Sequence, residues 1–273
     1  MSRLPHRTLI RLAGPDTIAL LERTVTNSVQ DWDEGQIRYG ALLTPQGKVI
    51  ADYLTQRTAD GVLLDVHEDA AEDLMKRLKL FRLRAKVDIG IDETLAAVTS
   101  KEGDDDPRSL KLWWRWYVPA SQADAEPPIP PERWRTTAIA AGVPEWGADY
   151  RASEVFPTDI NMDVMGGVDY KKGCFVGQEV ASRMKRRGKI RKRTLVVHGP
   201  ALEAGADILA AAPIGTVTSV AGDTGLALVR TDRLAKALEQ SQILTCNGHE
   251  VRFDLPDWAK AEIEALTEDA SGE

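Results

Sequence analysis

The chain has 273 residues, 43% of them hydrophobic and 28% charged, with a net charge of −7, an ordinary composition for a soluble globular protein. That length exceeds what one hydrophobic core usually covers, so two or three subdomains are expected. The opening MSRLPHRTLIRLAG lacks the apolar core of a secretory signal, no stretch reaches membrane-spanning length, and two cysteines 72 positions apart exclude a disulfide framework and point to a reducing compartment, the cytoplasm.

Residues 8–12 read as a short strand, and Gly14-Pro15-Asp16 opens a helix in which Ile18, Leu21 and Val25 recur at helical spacing up to about Asn27. Residues 39–43 and 48–55, joined by Thr44-Pro45-Gln46-Gly47, carry a β-hairpin pattern. A strand over 61–66 leads into an amphipathic helix over about 69–84, with Leu74, Leu78 and Phe81 on one face. Strands near 86–91 and 95–99 complete an α+β unit over residues 1–100, its helices packed on a mainly antiparallel sheet. A second α+β unit spans 101–193. Its segment 110–118, LKLWWRWYV, alternates as a strand with a buried aromatic face; an exposed aromatic platform is the other reading. Residues 134–141 form a helix stopped by Gly142 and Pro144. In EVFPTDINMD, residues 154–163, Asp159, Asn161 and Asp163 offer side-chain acceptors that equally suit turns. The calcium-loop pattern of spaced acids, glycine and distant glutamate is absent.

The densest chemistry lies in residues 169–198, DYKKGCFVGQEVASRMKRRGKIRKRTLVVH. From Lys171 to Arg193 there are ten Lys or Arg and one acid, Glu179, a local charge of +9 in a chain whose remainder sums to −16. Gly177 stands before a helical run over about 178–187. A helix start presents unsatisfied N–H groups and a partial positive charge, which favour an anion or a thiolate. Lys171 and Lys172 add to that field, so Cys174 sits where thiol pKa values fall. The same spacing also suits a small buried Cys174 in a glycine turn, with the basic run as a solvated face.

After Arg193, short strands near 194–197, 207–209, 214–220, 225–229, 243–244 and 251–255 alternate with Gly, Pro and Asn turns. Asn247-Gly248 is a hairpin signal. Residues 194–273 therefore read as a small antiparallel barrel with a terminal helix near 258–267. Cys246 and His249 form an isolated C-x-x-H, which a hairpin explains without zinc.

Lys172-Gly173-Cys174-Phe175-Val176-Gly177-Gln178-Glu179 resembles the K-G-C-[YF]-x-G-Q-E motif of the YgfZ-like folate-binding proteins. These are relatives of the T-protein (aminomethyltransferase) of the glycine cleavage system, implicated in assembly or repair of iron–sulfur enzymes. Thr26-Asn27, residues 42–48 and Asp52 look like that family's amino-terminal folate domain, and residues 134–144 like its W-x-x-x-x-I-x-A-G-x-P segment. The resemblance implies an α+β, T-protein-like folate-binding fold with mainly antiparallel sheets plus a small C-terminal β-barrel. It also implies tetrahydrofolate as cofactor, in a polyglutamylated or one-carbon-substituted form. Iron–sulfur client enzymes or assembly proteins follow as partners, whereas neither membrane nor nucleic acid is expected.

Under the same resemblance, Trp134 and Asn161 would contact the pterin, by stacking and hydrogen bonding; the plain alternatives are a core tryptophan and a turn asparagine. Glu179 or Asp52 would pair with the pterin N–H edge. Lys172, Gly173, Gly177 and Gln178 would line the site, with the Cys174 thiolate at its mouth. Arg183, Lys185 and Arg186 would meet the glutamate tail, failing which Lys185, Arg186 and Arg187 form a solvated or protein-docking face. No metal site is expected. Phe175 replaces the commoner Tyr of the motif, and Arg7 stands where some relatives place a second ligand-contacting tryptophan. Three function classes follow: a folate-binding iron–sulfur accessory protein, a folate-dependent aminomethyltransferase, and, last, an RNA-binding module resting on the basic stretch alone.

Overall fold

A computed structural model describes residues 1–30, 32–100, 105–123, 126–187 and 190–271, without the side chains of 100, 186–187 and 268–271. The first elements are β1 (Ser2–Arg3), β2 (Arg7–Ala13), α1 (Thr17–Glu22), β3 (Ile37–Leu43), β4 (Val49–Thr58), β5 (Gly61–His67), α2 (Glu68–Arg82), β6 (Asp88–Ile91) and β7 (Leu95–Ser100). Five of these strands form an antiparallel sheet in the order β3-β4-β5-β2-β6. Strand alternation gives each face a different partner. Ile10, Leu12, Tyr53 and Leu64 pack under α1 and α2 with Leu20, Leu21, Leu74 and Leu78. On the other face Tyr39, Ala41, Leu43 and Leu54 meet Tyr150, Ile160, Met162, Phe175 and Ala181. The motif therefore lies on the second face of the amino-terminal sheet.

The α1 helix is shorter than its periodicity predicts. It stops at Glu22 because Thr24 Oγ1 bonds back to the Leu20 carbonyl at 2.8 Å, and Val25 then pairs with Leu42 of β3. Residues 25–27 thus run beside β3 as a bridged, bent strip, not helix.

The second unit contains β8 (Trp114–Pro119), α3 (Ala120–Ala123), α4 (Pro131–Ala141) and α5 (Gln178–Arg187). A boundary at residue 100 would cut a sheet, because β8 pairs with β7 in the order β1-β7-β8. The aromatic face of β8 is reversed from expectation: Trp114 and Trp116 are 36% and 42% exposed, whereas Arg115 is 1% exposed. Arg115 turns inward because two carboxylates await it, Asp65 at 2.5 Å and Asp106 at 3.1 Å.

The last unit holds β9 (Lys192–His198), β10 (Asp207–Leu209), β11 (Pro213–Ala221), β12 (Thr224–Arg230), α6 (Thr231–Glu239), β13 (Thr245–Cys246), β14 (His249–Glu250), β15 (Arg252–Phe253) and α7 (Asp257–Ser271). Its sheet runs β14-β13-β10-β11-β12-β9-β15. The two edge strands are consecutive in the chain, separated by Val251, so the sheet curls into a near-closed barrel. Asn247 (φ 50°) and Gly248 (φ 80°) make the expected hairpin turn. Helix α6 falls where only strands were expected; its Leu234, Ala235 and Ala237 are buried in the barrel core. Among the described residues no helix is long and apolar enough to cross a membrane.

Candidate functional site

The thiol loop is assembled from backbone turns and two buried anchors. Asp169 Oδ1 accepts the N–H groups of Lys171 (2.8 Å) and Lys172 (3.1 Å), turning the chain sharply. The Lys172 side chain then dives inward until it is 1% exposed. Its ammonium donates to the carbonyls of Val25 (2.9 Å) and Asn27 (2.7 Å), with Glu22 at 3.6 Å. Burial lowers its pKa, with the Glu22 carboxylate opposing. Phe175, 6% exposed, is the second anchor, packed in the core with Tyr39 and Ile160. Between the anchors, Gly173 and Cys174 alone stand exposed.

Gly177 joins this loop to α5. Its φ of +80° suits glycine, and an added Cβ would lie 2.5 Å from the Thr44 carbonyl oxygen and 3.2 Å from Gly47 Cα. The Thr44-Pro45-Gln46-Gly47 turn is thereby pressed against the start of α5. Gln178 Nε2 reaches back to the Lys172 carbonyl at 3.5 Å, while Glu179 and Arg183 are exposed on α5. The sequence placed Lys172 in the field beside the thiol and in the lining of the site; the structure bonds its donors to carbonyls inside the fold. Cys246, by contrast, is 0% exposed, paired across the hairpin with His249, and burial pushes its thiol up.

Asp52, Trp134 and Asn161, expected around a pterin, each hold partners inside the fold. Asp52 is 6% exposed on β4 and accepts hydroxyls from Tyr39 (3.1 Å) and Tyr150 (2.6 Å), one on each oxygen. Burial and the Asp52 charge push both phenols well above their ordinary value, so they remain donors. Trp134 is 5% exposed, its Nε1–H donating to both Glu145 oxygens at 2.8 Å. The Arg115 guanidinium lies 5.6 Å from its ring centre, and Trp113 meets it edge-on at 6.1 Å. Asn161, at φ +60°, donates from Nδ2 to the Thr194 carbonyl at 2.7 Å and so ties its loop to β9. Four surface cavities of about 430 to 750 Å³ are lined by none of Asp52, Trp134, Asn161, Cys174 or Glu179.

Sequence reasoning missed a buried ionic network beside these residues. Asp65, on β5, accepts from Arg7 (2.5 Å), Arg115 (2.5 Å) and Tyr117 (3.1 Å). Asp106 holds Arg108 (2.8 Å) and Arg115 (3.1 Å), and Arg108 reaches Glu145 at 3.7 Å. Burial alone would raise both aspartates, but the guanidiniums outweigh it and hold them below the ordinary carboxylate range. Arg7 is thus a structural ion-pair partner. The available signal was Arg115 alternating with tryptophans, an arginine where a core residue belonged.

The basic stretch is also divided. Arg193, 1% exposed, bonds Asp163 (2.6 and 3.0 Å) and Glu262 (2.9 and 2.5 Å), under the Trp258 ring at 5.1 Å. Lys185 pairs with Asp163 at 2.8 Å. These are ties between α5, β9 and α7, not ligands for a glutamate tail. The side chains of Arg186 and Arg187 lie outside the described residues. Among the described residues, no group of three or more His, Cys, Asp or Glu is placed to hold a metal ion.

Residues 5–99 match the model of the GCVT N-terminal domain, and residues 191–261 that of the CAF17 C-terminal beta-barrel domain. The iron-sulfur cluster assembly factor IBA57 homolog, mitochondrial, of Pyricularia oryzae is 31% identical over 70% of this chain and 55% of its own length. The human iron-sulfur cluster assembly factor IBA57, mitochondrial, is 26% identical over 94% of this chain and 84% of its own. The chain thus spans about half the length of the first fungal relatives it matches. The crystal structure of the glycine cleavage system aminomethyltransferase T from Bartonella henselae superposes with a TM-score of 0.72 at 16% identity, covering 90% of this chain and 82% of that one. The T-protein-like fold expected from the motif is therefore present. The YgfZ-like resemblance is only approximately right, since the carboxy-terminal match is to a CAF17 barrel domain and these relatives are named IBA57. The cytoplasmic expectation is overturned, since the relatives are named mitochondrial. Two cysteines without a disulfide do not single out one compartment.

Proposed function

We propose that this chain, which is of the CAF17/IBA57 type with a GCVT-like fold, is an iron–sulfur cluster assembly factor whose working group is the Cys174 thiol. The observation that carries the reading is the exposure of Cys174 on a two-residue projection held at both ends by buried side chains. A cluster usually takes four protein ligands, and one exposed sulfur is too few to hold it. The cluster is therefore cargo carried by partners, assembly proteins or client enzymes, to whose surface the thiol is presented.

Tetrahydrofolate does not fit the residues named for it as they stand. A pterin stacked on Trp134 would displace Arg115 or Trp113, and one paired with Asp52 would displace a tyrosine hydroxyl. Aminomethyl transfer, the second reading, is supported by the fold alone, at 16% identity to the aminomethyltransferase structure.

The test is Cys174→Ser, which keeps the side chain's shape and removes the thiol. Cells relying on the variant should lose iron–sulfur enzyme activity although the purified protein folds normally. Full activity would defeat the reading. Assaying one-carbon transfer to tetrahydrofolate on the same preparations separates the second class: turnover there, unaffected by Cys174→Ser, would favour a transferase.

A further inference from the structure

We propose that Lys172 is a positioning residue, whose buried ammonium fastens the thiol loop to the strip Val25–Asn27 and so fixes where the Cys174 sulfur stands. This rests on the reading of Cys174 given above. The grip is repeated at each residue of the strip. Val25 and Asn27 give their carbonyls to Lys172 Nζ at 2.9 and 2.7 Å. Between them, the Thr26 carbonyl accepts the Asp169 N–H at 2.9 Å, and Thr26 Oγ1 donates to the Gly167 carbonyl at 2.7 Å. On its other side the strip is bound to β3: Thr26 N–H donates to the Ala41 carbonyl at 3.0 Å, Ala41 N–H to Thr26 Oγ1 at 2.9 Å, and Val25 bridges Leu42. Two segments about 145 positions apart are thereby zipped onto one sheet edge.

The alternative role for a lysine beside a thiol is to supply positive field. Geometry assigns that role poorly to Lys172, whose buried ammonium is bonded to two carbonyls, and leaves it to the exposed Lys171. The two neighbours therefore separate the two ideas. Lys171→Met and Lys172→Met remove the same charge at adjacent positions, but only the second cuts the clamp.

Amide hydrogen exchange and peptide-resolved alkylation of Cys174, read on both variants, decide between them. Lys172→Met should raise exchange at Asp169, Lys171 and residue 172 on the order of tenfold or more, as the opened loop loses its bonds. Amides of β4 and β12 should exchange as in the parent. Alkylation of Cys174 should change several-fold, and iron–sulfur enzyme activity in cells should fall. Lys171→Met should leave the exchange unchanged. Lys172→Arg, which keeps a cationic donor, should lie between Lys172→Met and the parent; it carries the comparison if Lys172→Met does not accumulate. Parental exchange in Lys172→Met, equal effects of the two methionine variants, or an opened loop with full cellular activity would each overturn the proposal. Cys174→Ser reports separately on the premise, because full activity there removes the thiol reading whatever Lys172 does.

Discussion

Gly173 and Gly177 flank the same turn and are glycine under opposite constraints. Gly177 has φ +80° and backbone atoms of the 44–47 turn within 3.2 Å of any added Cβ. Gly177→Ala should therefore cost roughly 1–3 kcal/mol from backbone strain alone, with more from the overlap, visible as a lowered urea midpoint. A parental midpoint would show that the turn does not press on α5. Gly173 has no left-handed φ, and a Cβ there meets nothing within 4 Å. Gly173→Ala should leave stability unchanged, so any lost cellular activity reports a partner approaching within a methyl's reach of the thiol. Trp134 is the third residue whose meaning changes with its surroundings. Its N–H serves a carboxylate in the interior, so Trp134→Phe should cost about 1.5–3 kcal/mol as a lost charged hydrogen bond. A loss of affinity for tetrahydrofolate at unchanged stability would instead return it to a ligand pocket.

At the scale of elements, β8 shows where local pattern and tertiary context part. Alternation located the strand within a few residues but assigned its faces the wrong way round, because hydrophobicity ranks tryptophan inside and arginine outside. The ranking fails when two buried carboxylates from distant segments, Asp65 and Asp106, converge on one arginine. Arg115→Met should thus be severe, up to about 3–5 kcal/mol, because Asp65 and Asp106 each lose one of two guanidiniums and keep only Arg7 and Arg108. Trp116→Thr, at an exposed position, should stay within about 0.5 kcal/mol. The reverse order in denaturant midpoints would refute this orientation. The same reasoning covers α1. Its apolar spacing continues to Val25, but Thr24 and the pull of β3 turn the last residues into strip, and that strip is what Lys172 holds. Strands β4, β5 and β9–β12, helices α4 and α5 and the Asn247-Gly248 hairpin were legible because short-range pattern suffices for them. Helix α6 was hidden among strand signals, and the buried polar network was invisible because its members are brought together only by the fold. In the site, the exposed thiol flanked by glycines was readable; the inward turn of Lys172 was not.

Across the whole molecule, the units are fastened by buried charge as well as apolar contact. Asp163 is the clearest key: its side chain is fully buried, and it receives Arg193 twice and Lys185 once, joining the loop before the motif to α5 and β9. Burial alone would raise its pKa, but Arg193 and Lys185 outweigh that and hold it below the ordinary aspartate range. A carboxylate with a depressed folded-state pKa contributes stability that is present above its unfolded pKa, about 3.9, and lost as pH falls through the folded value. Asp65 and Asp106 act in the same direction. Asp149 and Asp159 act oppositely: burial raises them, so their contribution is present below about pH 3.9 and lost as pH rises through the raised values. The two groups make bulk acid unfolding a mixed signal, and a variant comparison isolates one of them. Asp163→Asn keeps the shape, removes the charge facing Arg193, and leaves Glu262 as that arginine's remaining acid. At pH 7 the variant should be less stable than the parent by a few kcal/mol. The gap should begin to narrow once pH falls below about 4, because the unfolded parent then takes up a proton on Asp163 while the folded parent, with its depressed pKa, holds its charge to lower pH. Urea midpoints for both proteins at about pH 7, 5 and 3, the first two above the unfolded pKa and the last inside the window of loss, give the measurement. A gap as wide at the lowest pH as at neutrality would mean that Asp163 holds the units together by shape and hydrogen bonding, and not by its charge.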